Sequence, residues 1–138
     1  FFTDRYQMDQ TEMCFSAPGS VPLENGKYIH AELMSVDKVR GHPAWDQRGH
    51  AFLDEEQTGR AFTVRTGLPG DRFKPLGMNG KGIKISNFWT NIKLPREARA
   101  RWPLVCVSNE IVWIPGFRTC HQARVTENTS EVVHLWVE

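Results

Sequence analysis

Apolar side chains along this chain recur mostly with a period of two, and one stretch changes to the period of a helix. In residues 27–36, Ile29, Ala31 and Leu33 alternate with polar neighbours such as His30 and Glu32, the pattern of a half-buried strand. Pro18-Gly19 and Asn25-Gly26 before it read as turns. Residues 37–50, with Gly41-His42-Pro43 and Arg48-Gly49, read as an irregular loop. Short strands are predicted over 51–54 and 61–65, the second with Phe62 and Val64 inward. Residues 66–82 hold five glycines and two prolines, which excludes a helix and predicts tight turns or bulges that bring backbone near a surface.

The period then changes. Ile85, Phe88, Trp89 and Ile92 stand at i, i+3, i+4 and i+7, one face of a short amphipathic helix. A second helix is predicted to start with Pro95 in its first turn and to stop before Pro103. Its inner stripe is Leu94, Ala98 and Trp102, with Arg96 and Arg99 on the opposite side and Arg101 packing its stem against Trp102. Apolar runs at 104–107 and 111–114 flank Ser108-Asn109 and predict a buried hairpin closed by Pro115-Gly116. A last strand at 132–137 puts Val133, Leu135 and Val137 on one face and His134 on the other. The fold class is therefore α+β: a layered domain of short, mostly antiparallel strands with two short helices. Trp89, Trp102, Trp113 and Trp136 fall on predicted core faces, which leaves Trp45 in the polar loop as the tryptophan able to face a ligand.

Composition narrows the class without naming a function. The chain has 138 residues, 40% hydrophobic and 24% charged, enough for a single globular domain with a real core. No apolar run approaches the roughly 18 residues that span a bilayer. The first residues lack an initiator Met and an apolar leader, so the expectation is a piece of a longer cytoplasmic protein, with residues 1–11 frayed or a linker. Cys14, Cys106 and Cys120 form no CxxC pair, against both a disulfide framework and a zinc knuckle. Cys106 lies in an apolar run and reads as a small core residue.

Charge changes the picture more. The net charge of +1 conceals −5 over residues 1–59, +8 over 60–101 and −2 over 102–138. The central block holds Arg60, Arg65, Arg72, Lys74, Lys81, Lys84, Lys93, Arg96, Arg99 and Arg101 against Asp71 and Glu97. Segregation of this kind makes a local positive potential whatever the total charge. Interleaved with glycine turns and helix ends, it suits a folded RNA, which is bound largely by backbone and shape.

Catalytic patterns are incomplete. Gly80-Lys81 hints at a phosphate loop, but Pro75 stands where the first Gly is needed and Gly82 where Ser or Thr is needed. His42 and His50 are loop residues without a nearby cysteine pair, Asp54-Glu55-Glu56 reads as a solvated acidic turn, and the neighbours Cys120 and His121 point apart.

Specific text lies between residues 65 and 126. It runs Arg65, then Pro69-Gly70-Asp71-Arg72-Phe73-Lys74-Pro75-Leu76-Gly77-Met78, a basic linker and the short helix at 84–92. Lys93-Leu94-Pro95, Arg99, Pro103-Leu104-Val105 and Glu110-Ile111-Val112-Trp113-Ile114-Pro115-Gly116-Phe117-Arg118 follow. In order and spacing these pieces resemble the C-terminal domain of tRNA(Ile)-lysidine synthetases. The resemblance implies that family's layered α+β fold, shared with part of the phenylalanyl-tRNA synthetase β subunit. It also implies the family's chemistry: ATP adenylates carbon 2 of the wobble cytidine of an isoleucine tRNA, and the ε-amine of free lysine displaces AMP. ATP with magnesium, and lysine, are handled by the family's N-terminal domain, so this segment is expected to hold tRNA(Ile), toward its acceptor stem, with no cofactor or catalytic residue of its own. The RNA-facing role carries to Arg72, Lys74, Lys93, Arg96, Arg99 and Arg118, beside Arg65, Lys81 and Lys84 of the basic block. Asp71 is expected to orient Arg72 or cap a turn. Thr119-Cys120-His121-Gln122 depart from the acidic stretch that relatives carry there.

Two other classes compete. The basic block 60–101 could pair with an acidic surface such as residues 1–59 of a second copy, giving a homodimer or another protein complex. A free-standing enzyme using Cys120 and His121 is the third reading.

Overall fold

Pro18-Gly19 turns a corner between two sheets. A computed structural model, which describes residues 12–138, places β1 (Met13–Ser16) in one sheet and β2 (Gly19–Pro22) in another. A Cβ on Gly19 would sit 2.4 Å from the Ser16 carbonyl oxygen, so the corner requires glycine. The segment 1–11, expected to be frayed or a linker, lies outside the described residues.

β3 (Tyr28–Ser35), β4 (His50–Asp54) and β11 (Glu131–Val137) complete a four-stranded sheet in the order β2-β3-β11-β4. β5 (Ala61–Arg65), β8 (Leu104–Val107), β9 (Glu110–Ile114) and β10 (Arg118–Thr119) join β1 in the order β1-β5-β8-β9-β10. Both sheets are antiparallel throughout. The predicted β8–β9 hairpin turns on Ser108 (φ 49°) and Asn109 (φ 67°), the two positive φ values of a type I′ turn. A separate ribbon pairs β6 (Arg72–Phe73) with β7 (Ile83–Lys84).

One hydrophobic cluster runs through both sheets, taking Ile29, Ala31, Leu53, Val133 and Leu135 from the first and Phe62, Val64 and Val105 from the second. Residues 111–114 of β9 are all buried, as in a strand covered on both faces. α2 (Ile85–Asn91) adds Ile85, Phe88 and Trp89 to the same cluster. The fully buried Trp102 donates its indole N–H to the Pro115 carbonyl at 3.0 Å, so the ring enters the core with its polar edge satisfied.

Among the described residues three short α-helices form rather than two. α1 (Glu55–Thr58) begins where a solvated acidic turn was expected: the buried Asp54 caps it by accepting the Glu56 N–H, and also accepts from the Thr129 hydroxyl at 3.0 Å. α3 (Arg96–Arg99) is a single turn, well short of Pro103. Arg101 is exposed, and its guanidinium pairs with Glu24. Cys120 is buried like Cys106, and burial pushes both thiols up, Cys106 to about 11.

His134 takes the face opposite Val133 and Leu135 as expected, whereas Trp136, expected on a core face, does not lie on one. Both point away from Val133 and Leu135, onto the outer face of the four-stranded sheet, yet His134 is buried and Trp136 half-buried. The reason is the loop before β4: its Val39 and Ala44 pack on Phe52 and Val132, covering part of that face. His134 stacks on Phe52 with ring centres 4.3 Å apart, and its Nε2 is 2.9 Å from Nδ1 of His50. Burial, then the neighbouring His50 and His42, lower its pKa to about 4. An unfolded chain would protonate His134 near pH 6.5, whereas the folded site resists protonation until about pH 4. This group's contribution to stability is therefore complete above about pH 6.5 and declines as the pH falls toward about 4. Thermal melts should show that decline, and His134→Phe should flatten it; a variant that melts with an unchanged pH profile would contradict the assignment.

Candidate nucleic-acid interface

The basic surface is built on the β6–β7 ribbon. Phe73 anchors it, being buried with its ring edge-on to Phe88 at 5.5 Å. The next residues are fixed by backbone bonds: the His121 N–H donates to the Lys74 carbonyl at 2.8 Å and the Leu76 N–H to the Thr119 carbonyl at 3.0 Å. Glycines 77 and 80, with φ of 95° and 83°, let the chain reverse and return as β7. With Phe73 inward, Arg72 and Lys74 face outward, and Lys84 sits directly opposite Arg72 in the ladder. Gly82 lies between them: a Cβ there would be 3.5 Å from Cγ of Lys74 and 3.9 Å from Nε of Arg72. Arg72 donates to the Gly82 carbonyl at 3.3 Å, and Lys81 is exposed at the end of the turn.

What holds this ribbon in place is Arg65, which was expected to face RNA. The structure corrects that: Arg65 is 5% exposed and its guanidinium forks onto Asp71, Nη1 to Oδ2 at 2.8 Å and Nη2 to Oδ1 at 3.0 Å. Asp71 also accepts the Leu68 N–H at 2.7 Å, so it caps a turn as expected but orients Arg65 rather than Arg72. Burial alone would raise the Asp71 pKa; the bonds from Arg65 and Leu68 outweigh it and hold the carboxyl below its usual range. The bond to Asp71 in turn raises the pKa of Arg65.

A second group follows α2. Lys93 adopts φ 59° at the helix end, a left-handed residue that lets the Leu94 N–H return to the Trp89 carbonyl at 3.0 Å. Lys93 and Arg96 are exposed. Arg99 is half-buried, because its Nε donates to the Leu94 carbonyl at 2.8 Å and closes the turn, so it does not stand free opposite the inner stripe. Arg118 is exposed on β10, with Nη1 3.4 Å from the carbonyl of Leu76, two residues beyond Lys74.

Pairing sorts the ten cations of the block. Arg60 pairs with Glu55, Arg65 with Asp71 and Arg101 with Glu24. Arg72, Lys74, Lys81, Lys84, Lys93, Arg96 and Arg99 meet no carboxylate among the described residues.

The model of the TilS substrate C-terminal domain family matches residues 62–136, more than half of this chain. The chain belongs to that family. A tRNA(Ile)-lysidine synthase of Clostridium tetani is 39% identical over 118 residues, 86% of this chain and 23% of that protein. One from Symbiobacterium thermophilum is 33% identical over 125 residues, 87% of this chain and 25% of that protein. The chain spans about a fifth of the length of several curated relatives it matches. A crystal structure of a TilS C-terminal domain aligns with a TM-score of 0.71 at 25% identity, covering 93% of this chain and 97% of that one. The layered α+β fold expected from the sequence is the fold of this TilS domain.

Arg72 opposite Lys84 is an arrangement that a ribbon evolved only for stability would avoid, since like charges directly across a ladder repel. In this TilS domain Lys84→Gln should therefore be neutral or stabilising, by up to about 0.5 kcal/mol in urea unfolding. A loss above about 1 kcal/mol would show that Lys84 has a stabilising role.

Proposed function

We propose that this TilS C-terminal domain grips tRNA(Ile) through its phosphate backbone, with Arg72, Lys74, Lys81 and Lys84 on the ribbon and Lys93, Arg96 and Arg99 beyond α2. The observation that supports it most is the cluster of cations that meet no carboxylate among the described residues, three of them crowded around Gly82. Such a cluster is relieved by polyanion phosphates that release condensed counterions on binding. The relatives' name, tRNA(Ile)-lysidine synthase, supplies the RNA. Arg118 belongs to the same surface in this reading, and Arg65 supports the ribbon from inside.

In this reading the bond-forming chemistry, with its ATP, magnesium and lysine, belongs to the rest of such a ligase. Residues 75–82 do not suit a phosphate loop: Pro75 lacks an N–H, and the Lys81 N–H is occupied by the Met78 carbonyl at 3.0 Å. Self-association through the acidic side chains of residues 1–59 is the less favoured reading, since two of them are already taken. Glu24 and Glu55 are already paired with Arg101 and Arg60 of the same chain. Among the described residues no helix is long and apolar enough to cross a membrane.

Binding of tRNA(Ile), followed by fluorescence anisotropy over a salt series, tests this. With about four to six phosphate contacts, log affinity should fall against log salt with a slope of roughly −3 to −5. Arg72→Gln with Lys84→Gln should make the slope shallower by about two units, one per contact, with folding checked by circular dichroism. A folded double variant with the wild-type slope would place the RNA elsewhere.

A further inference from the structure

The two sheets meet edge to edge at β4 and β10, and a cleft of about 380 Å³ opens there. That volume lies within the range of small-ligand sites. Its walls combine two chemistries. Trp45, 47% exposed, leans on Phe52 with ring centres 5.4 Å apart and is open to solvent. Arg48, Arg118 and Arg124 also line the cleft, with Asp46 as its one carboxylate.

None of these guanidinium groups meets a carboxylate among the described residues. Arg124 gives one N–H to the His121 carbonyl at 2.9 Å, Arg118 reaches the Leu76 carbonyl at 3.4 Å, and no side-chain bond holds Arg48 among the described residues. Most of their donors are therefore available to an anion. The walls are tied to each other, because the Gly116 N–H donates to the Arg48 carbonyl at 3.0 Å. A flat, open indole beside planar cationic forks matches one small-molecule chemistry closely: a base that stacks and a phosphate that is held by bidentate donors.

We propose that this cleft binds a single nucleotide whose base is unstacked, the base on Trp45 and the phosphate on Arg48, Arg118 and Arg124. The Asp46 carboxylate suits ribose hydroxyls on the same rim. The nucleotide comes either from a single-stranded part of a bound RNA or from a free mononucleotide. The first source rests on the RNA-binding reading above; the cleft itself does not.

The chain is titrated with a blunt RNA duplex, with the same duplex bearing a single-stranded 3′ overhang, and with AMP, the last read by tryptophan quenching. An overhang that binds roughly tenfold tighter than the blunt duplex, an advantage lost in both Trp45→Leu and Arg124→Gln, supports the cleft with RNA as the source. AMP quenching lost in the same variants, without an overhang advantage, supports it with a free nucleotide as the source. Both side chains are exposed, so the variants should melt as the parent does, and the two fail independently if one disturbs the loop. An overhang advantage or AMP quenching that survives in both variants overturns the proposal. So does the absence of both effects, and blunt-duplex binding in that case leaves the backbone reading standing. AMP binding without any RNA binding would instead sink the RNA reading and keep the cleft.

Discussion

The buried fork between Arg65 and Asp71 is the constraint from which the basic surface follows. Asp71 joins three pieces of chain: its carboxylate holds Arg65 at the end of β5 and the Leu68 N–H, and its carbonyl accepts the Ile85 N–H at 2.9 Å where α2 begins. Removing one partner of such a pair leaves a buried charge and typically costs about 3–5 kcal/mol. Against the roughly 5–15 kcal/mol that separates a folded domain from its unfolded chain, that is a large share. A ribbon with only two residues in each strand has little ladder of its own. It is positioned by this fork, by the buried Phe73 and by the Lys74 and Leu76 backbone bonds.

Stability and charge therefore work in opposite directions within a few residues. One arginine is neutralised and sunk, and its neighbours in sequence are lifted out and left unneutralised. Arg72 opposite Lys84 and Lys74 beside Gly82 raise the local potential, and the anchor beneath tolerates the repulsion. A local conflict with sheet-pairing preferences, supported by a strong anchor, is what the proposed phosphate-binding role requires.

Much of this was legible because it is local. The alternation in β3, the helical spacing of Ile85, Phe88 and Trp89, and the Ser108-Asn109 turn all act over a few residues, and each formed as expected. Asp54 with Gln57 three residues on and Gly59 behind them carried a helix-capping signal that the acidic character of the segment obscured. The misplacements share a longer range. Arg65 looks like its basic neighbours until the fold brings Asp71 beneath it, and His134 looks solvent-facing until a loop some 90 residues earlier covers it. The cleft is further from reach, since Arg48 and Arg124 come together only when the edges of two sheets meet. Charge along a sequence locates cations; burial decides which of them remain available.

Amide hydrogen exchange of Asp71→Asn beside the parent chain tests the anchor most directly. If the fork pins the ribbon, amides between residues 68 and 85 lose protection first and most, while those of β3 and β11 keep far more of theirs. Unchanged protection of the ribbon, or an equal loss across the whole chain, would contradict it.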